Sequence, residues 1–264
     1  MQPTIQSERY LLIGHPVGHL RVADQFNAGL EDRGANGRMT VRDIAPEDLA
    51  GFTDAARGMI GLRGFLVSRP HKQTILPFLD RLTRDAEAAG LANIVRRETD
   101  GSLTGHQLDG PGFLAGMHAN GFEPSGKRIF IQGAGGVAAA IGYALAEAGA
   151  REILIANRTP ERAKALAHRL GRIFAESCSF RIVAGPPKEV DAAINATSLG
   201  TAADDRLPFD PASLGPDVHI ADVVNLAGAT ALENAARRAG QTFQPGRDAV
   251  LPQYALMHAF FGAS

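Results

Sequence analysis

The residues with the clearest chemical purpose stand in "IFIQGAGGVAAAI". Gly133, Gly135 and Gly136 follow a short apolar strand and open a helix. Ala134 and Val137 complete the turn, and the small Ala138 stands where a third glycine usually does. Glycine lets the backbone turn tightly and approach a pyrophosphate, whose charge is favoured by the free N–H groups and dipole of a helix start. The next strand runs into "ANRTPERAKAL". A carboxylate at that strand end would accept hydrogen bonds from the ribose 2′-hydroxyl of NAD. Asn157, Arg158, Thr159 and, one helical turn later, Arg162 instead offer two guanidinium groups and a hydroxyl to a 2′-phosphate, which arginine pairs bidentately. NADP is the expected cofactor. Thr159 before Pro160 also predicts a helix cap.

Two ionisable residues stand at other helix openings: Lys72 behind Pro70 in "LVSRPHK", and Asp109 in "HQLDGPGF". Each alone reads as a surface charge or a cap. His15, His19 and His71 read as hydrogen-bonded loop residues. The eight histidines form no His-Glu-x-x-His or similar spacing, so no metal is expected. Cys178 is the single cysteine, which excludes an internal disulfide and reads as a buried thiol. In "LLIGHPVGHLRVADQF", Leu20 and Val22 put hydrocarbon on a turn placed to hold a small molecule.

These residues need elements to position them. In 264 residues, short β-rich runs alternate with helical ones, which predicts α/β layering with parallel sheet. Strands are expected at "YLLI", "RMTVRDI", "LRGFLV", "ANIVRRE" and "SLTGHQ". Helices are expected over 22–33, 46–58, from Pro70, over 82–90 and from Asp109. After the Gly/Pro-rich "NGFEPSGK", which suits a boundary, come strand 128–132, helix 136–148, strand 152–157 and helix 160–170. Strands "AAIN" and "HIADVV", helix 230–239 and a terminal helix after Gly246 complete the series. Tyr254, Met257 and Phe261 fall at core-packing spacing. The expected architecture is two α/β domains with a cleft between them. One is a substrate domain over 1–108, completed by helix 246–264; the other is a Rossmann-type domain over 109–245, with 109–120 as linker helix.

The 27 basic and 28 acidic residues nearly cancel, so no global field draws the chain to nucleic acid or anionic lipid. The polar opening "MQPTIQSERY" lacks a signal-peptide pattern, and no apolar run reaches membrane-helix length. The expected setting is cytoplasmic.

Taken with "ANIV", "INATSLG" and "LPQYALMHAFFG", these segments give the chain a family likeness. It resembles the shikimate and quinate dehydrogenase family over nearly its whole length. That family carries Pro-Ile-x-His-Ser, Asn-Val-Thr-x-Pro-x-Lys and Asn-Thr-Asp segments, a Gly-Ala-Gly-Gly loop, an Asn-Arg-Thr turn and a C-terminal Gln. Here "PVGHL", "LVSRPHK", "HQLD", "GAGG", "NRT" and Gln253 answer them.

The resemblance implies that Lys72 and Asp109 are the catalytic pair. Lys72 would take the hydroxyl proton as hydride leaves for the nicotinamide, with Asp109 holding the lysine. It also implies Asn93 and Gln253 as substrate-hydroxyl ligands, and Ala196, Thr197 and Val223 beside the cofactor. The family's two carboxylate-holding serines, however, read Leu20 and Val22. Its substrate-site Asn reads Leu66, its Thr reads Ser68, and its Tyr after the "DVV" strand reads Asn225. An ionised carboxylate against Leu20 and Val22 would lose hydration without compensation, at about several kcal/mol. Arg21 and Arg69 flank the changed positions and offer another anchor.

The leading reading is an NADP-dependent alcohol dehydrogenase for a small cyclic polyol or shikimate-like hydroxy acid, working as monomer or homodimer. The alternatives are an authentic shikimate or quinate dehydrogenase with a displaced carboxylate anchor, serving aromatic amino acid biosynthesis or quinate metabolism, and a non-catalytic NADP-binding sensor. Retention of Lys72, Asp109, Asn93 and Gln253 argues against the sensor.

Overall fold

The computed structural model describes residues 7–17, 22–201, 206–226 and 228–262. Leu20, Arg21 and His19 lie outside them. The chain divides into two compact units, Met1–Leu108 with Gln253–Ser264, and Asp109–Pro252.

The first unit runs through β1 (Glu8–Gly14), α1 (Val22–Asp32), β2 (Gly37–Asp43), α2 (Leu49–Gly58), β3 (Leu62–Val67) and α3 (His71–Thr74). It continues with β4 (Arg81–Leu82), α4 (Arg84–Ala89), β5 (Ile94–Arg97) and β6 (Leu103–His106). The second unit opens with α5 (Asp109–Ala119), β7 (Arg128–Gln132), α6 (Gly136–Glu147), β8 (Glu152–Ala156), α7 (Pro160–Ile173) and β9 (Ser179–Ile182). It closes with β10 (Ala192–Asn195), β11 (His219–Asp222), α8 (Ala231–Arg238) and β12 (Phe243–Gln244). A last helix, α9 (Gly246–Phe261), contains the division between Pro252 and Gln253.

The first sheet has the order β2-β1-β3-β5-β6-β4. β1 lies parallel to β2 and β3, whereas β5 is antiparallel to β3 and β6. The sheet is therefore mixed, where alternation predicted a parallel one. A parallel return needs a crossover of a dozen or more residues, roughly. The short turn between β5 and β6 forces a hairpin instead: Gly101 takes φ +86°, and Asp100 accepts hydrogen bonds from Ser102 N–H and Oγ at 2.9 and 2.7 Å.

Strand alternation sorts the core onto both faces of this sheet. Tyr10, Leu12 and Met39 pack with Phe26 and Leu30 of α1 and with Met257 and Phe261 of α9. Tyr254 sits half-buried at the edge of that cluster, as its helical spacing predicted. Ile13, Leu62, Phe65 and Val67 face the other way, onto Leu49 and Ala56 of α2.

The second sheet is parallel throughout, in the order β12-β11-β10-β7-β8-β9. The strand order reverses between β7 and β10, and helices on both faces bury apolar strands such as Ile129–Ile131 and Ile153–Ile155. Residues 120–127 are a turn within this unit rather than a boundary. The first part of α9 also packs here, since Asn120 Nδ2 donates to Asp248 at 2.9 Å. No helix among the described residues is long and apolar enough to cross a membrane.

One core residue carries a latent charge. His258 of α9 is 3 % exposed, stacks on Phe26 with ring centroids 4.2 Å apart, and has no hydrogen-bond partner at either ring nitrogen. Burial, with Arg33 adding repulsion, pushes its imidazole down to about 4. Burial does the same for His219, which lies against Phe122. A depressed histidine contributes stability that is present above its ordinary value of 6.5 and lost as pH falls towards 4. The urea unfolding midpoint should therefore drop between pH 7 and pH 5. His258→Leu should shrink that drop; an unchanged drop would clear His258 of the effect.

Candidate active site

Several expected substrate-side residues are brought together by backbone hydrogen bonds at the end of β3. Val67 N–H donates to Asn93 C=O at 2.8 Å, and Ala92 N–H donates to Lys72 C=O at 2.8 Å. Ser68, Lys72 and Asn93 thus share one corner of the first unit. His71 anchors that corner from beneath: it is fully buried, with Nε2 2.7 Å from Ile44 C=O. The buried Asn93 takes Leu108 N–H on Oδ1 at 2.9 Å, which fixes the chain one residue before Asp109.

A second polar cluster lies at the end of β6. Thr83 Oγ1 lies 2.9 Å from His106 Nδ1, Asp85 Oδ1 lies 3.1 Å from it, and Gln107 Nε2 donates to Asp85 at 3.2 Å. Burial would raise the Asp85 carboxyl, but hydrogen bonds from His106 and Thr83 outweigh it and hold the group below its usual range. Lys72, Asp109 and Gln253 are half-buried.

The positions where the family carries polar groups look different. Leu66 is 4 % exposed and packs in the cluster of Tyr10, Leu12, Phe26 and Ile94, and Val22 lies half-buried against the same cluster. Hydrocarbon thus runs from the sheet core to the first turn of α1. Ser68 is half-buried and Arg69 exposed. His15 Nδ1 meets Asp43 at 2.7 Å, so His15 is a hydrogen-bonded loop residue, as expected, whereas His71 is hydrogen-bonded but opens α3 instead of lying in a loop. In the second unit, Asn225 is exposed on the segment after β11.

The nucleotide turn lies where the second sheet's strand order reverses. Gly133 has φ +127°, and a Cβ there would lie 2.6 Å from Ala196 C=O. Only glycine fits so close a pass. Gly135 ends the turn and caps α6, its C=O accepting Ala139 N–H at 3.0 Å. Ala134, Gly136 and Val137 are half-buried around it, and Ala138 is fully buried. This cradle, which a side chain would fill, fits a pyrophosphate.

A cavity of about 590 Å³ opens in this unit, lined among others by Gln132, Asn157, Arg158, Thr197, Ser198 and Arg206. Arg158 is thus placed where a 2′-phosphate could be held. Arg162 is exposed on α7 and does not line the cavity, whereas Arg206, which local spacing gave no reason to choose, does. Thr159 stands at the N-cap position of α7 before Pro160, as expected, but its hydroxyl makes no cap hydrogen bond. Asn157 Nδ2 donates instead to Thr159 C=O at 2.9 Å.

Between Ala196–Thr197 and Val223 the sequence reading missed a buried pair, Asn195 and Asp222. Burial pushes the Asp222 carboxyl up to about 6, although it accepts hydrogen bonds from Val224 N–H, Asn195 and Thr230. Cys178 is buried, and its thiol is raised to about 11 by burial, as expected of an inert core cysteine.

A doubly wound unit with a glycine turn at its switch point, in one chain with a smaller mixed α/β unit, defines a two-domain α/β protein of the dinucleotide-binding class. Residues 12–95 match the shikimate dehydrogenase substrate binding domain, and residues 115–205 match shikimate / quinate 5-dehydrogenase. The chain is 41 % identical to a shikimate dehydrogenase (NADP(+)) of Rubrobacter xylanophilus over 95 % of its length and 90 % of the relative's. A shikimate dehydrogenase crystallised with NADP+ superposes with TM-score 0.90 at 29 % identity, covering 100 % of this chain and 92 % of the other. A ligand-free 5-ketofructose reductase of Gluconobacter sp. superposes with TM-score 0.89 at 29 % identity, covering 98 % and 94 %. The chain belongs to the shikimate dehydrogenase family.

The close pass at Gly133 gives a stability test. Gly133→Ala combines a φ that L residues rarely adopt with a clash against backbone, which costs on the order of 1–3 kcal/mol or more. Urea unfolding should register that loss; an unshifted midpoint would show that the turn can relax and that glycine is dispensable.

Proposed function

We propose that this chain is an NADP-dependent oxidoreductase acting on a secondary hydroxyl or ketone of a small polyol, one that presents no carboxylate to the loop before α1. The observation that carries the proposal is the continuous apolar cluster joining Leu66 and Val22, set against an intact Lys72–Asn93 corner. A carboxylate placed on that hydrocarbon would shed water and gain no donor, whereas hydroxyls and a carbonyl at the other end keep theirs.

NADP supplies the hydride acceptor when bound. Arg158 holds its 2′-phosphate, with Arg206 on the same cavity wall, and the Gly133–Gly136 turn holds its pyrophosphate. Lys72 Nζ takes the substrate hydroxyl proton in oxidation and returns it in reduction. Asp109 shares the hydrogen bond to that hydroxyl, and Asn93 and Gln253 bind neighbouring hydroxyls. The 5-ketofructose reductase likeness fits this reading, because its named substrate is a polyol ketone with no carboxylate.

The 41 % identity to a shikimate dehydrogenase favours a second reading, in which a carboxylate is held from another side. Arg69, exposed next to Ser68, is the described residue placed to do so.

Lys72→Ala should lower kcat by roughly 10²–10⁴-fold with NADPH affinity nearly unchanged; full turnover would remove Lys72 from the mechanism. Arg158→Ala should weaken NADPH binding far more than NADH binding in calorimetric titration, and equal losses would refute its role at the 2′-phosphate. The double substitution Leu20→Ser, Val22→Ser should raise kcat/KM for shikimate, since two charged hydrogen bonds are worth about 1.5–3 kcal/mol each. No gain, together with strong wild-type turnover of shikimate, would establish the Arg69 reading.

A further inference from the structure

Three neighbouring strands of the second sheet end in register at Gln132, Asn195 and Asp222. Two of those ends are polar and fully buried. Buried polar groups persist only when hydrogen-bonded, so their partners show what they organise. Asn195 Oδ1 accepts from Thr197 N–H at 3.1 Å and Thr197 Oγ1 at 2.7 Å. Its amide donates to Leu199 C=O at 3.0 Å and to Asp222 Oδ1 at 2.9 Å. Leu199 N–H closes the ring by donating to Thr197 Oγ1 at 3.1 Å. One side chain therefore specifies the whole turn after β10.

Asp222 does the same for the other turn. Its Oδ1 also accepts Val224 N–H at 3.0 Å, and its Oδ2 accepts the Thr230 hydroxyl at 3.2 Å. Thr230 Oγ1 in turn accepts Glu233 N–H at 3.1 Å and so caps α8. A single hydrogen-bond chain thus runs from Leu199 through Asn195, Asp222 and Thr230 to Glu233. It spans both segments that carry Thr197, Val223 and Asn225. Asp222 makes no ion pair among the described residues. A carboxylate buried among neutral donors is expensive to keep and adds little stability, which makes a positioning role the better account of it.

We propose that Asp222 is a positioning residue that couples the turn 196–199 to Val224 and to Thr230 at the start of α8, so that these two cofactor-side parts of the chain are ordered as one. The proposal rests on the reading that NADP binds this unit, but the coupling belongs to the free protein and is testable there. Networks of this kind are worth more than their separate bonds, and coupling between linked sites typically amounts to about 5–150-fold in affinity.

The test uses Thr230→Val and Asp222→Ala, with Asp222→Asn as the conservative variant that keeps one acceptor oxygen. Amide hydrogen exchange of the unliganded protein is read at Thr197, Leu199, Val224 and Glu233, and NADPH and NADH dissociation constants are measured beside it. Cutting the chain at Thr230 should speed exchange not only at Glu233 but also at Thr197 and Leu199, on the far strand end. It should raise the NADPH Kd at least about 5-fold, with the NADPH-to-NADH preference unchanged because Arg158 is untouched. Asp222→Ala should loosen both turns, and Asp222→Asn should fall between it and wild type. If Asp222→Ala does not fold, Thr230→Val still decides the matter. Faster exchange confined to the start of α8, with Thr197 and Leu199 as in wild type, would reduce Thr230 and Asp222 to a local cap and overturn the proposal. Coupled exchange without any NADPH binding by the wild type would uphold the coupling and refute the cofactor reading instead.

Discussion

The nucleotide half of this protein depends on one close approach, the passage of the Gly133 backbone under the Ala196 carbonyl. A Cβ at Gly133 would stand 2.6 Å from that oxygen, so the turn exists only because the residue has no side chain. The approach follows from the sheet. Strands β7 and β10 are parallel neighbours whose last residues, Gln132 and Asn195, are in register, so both chains leave the sheet at the same level. The strand order reverses there, and the two departing loops diverge around the space a dinucleotide would occupy. Everything else in this unit serves that geometry. Small residues through α6 let it lie close on the strands, and Asn195 with Asp222 fixes where each loop goes next.

The substrate half obeys a different constraint, the satisfaction of a buried amide. Asn93 is 8 % exposed and exchanges hydrogen bonds with three parts of the chain: Val67, His106 and Leu108. These bonds bring the ends of β3, β5 and β6 to one corner, with Lys72 tied to it through Ala92. Against that polar corner stands the apolar run of Leu66 and Val22. Desolvation decides what each can hold. The polar corner offers hydroxyls new partners, whereas the apolar run offers a charged group nothing in exchange for its water.

The parts legible in the sequence were those encoded locally. Glycines after an apolar strand announced the nucleotide turn, and alternation announced most strands. What escaped was either very short or non-local. β4 and β12 have two residues each, and β9 has four with exposed Ser179 and Arg181, too little pattern to register. The pairing of β5 with β6 as a hairpin depended on the length of one turn. That the first part of α9 belongs with the second unit was equally non-local: Asn120 reaches Asp248, 128 positions away in sequence. Asn195 and Asp222 looked like ordinary strand-end residues until their 27-residue separation closed to 2.9 Å. Arg206 followed the same rule: no spacing connects it to Arg158, yet both line one cavity.

On the proposed function, the Lys72–Asn93 corner serves the redox step while Leu66 and Val22 offer a carboxylate no partner. The most direct measurement is the rate of NADPH formation by the unaltered protein over matched hydroxylated ring compounds, each supplied with and without a carboxylate. The account predicts turnover of neutral polyols, with kcat/KM falling when the carboxylate is added. A strong preference for the carboxylated member of each pair, shikimate among them, would contradict it.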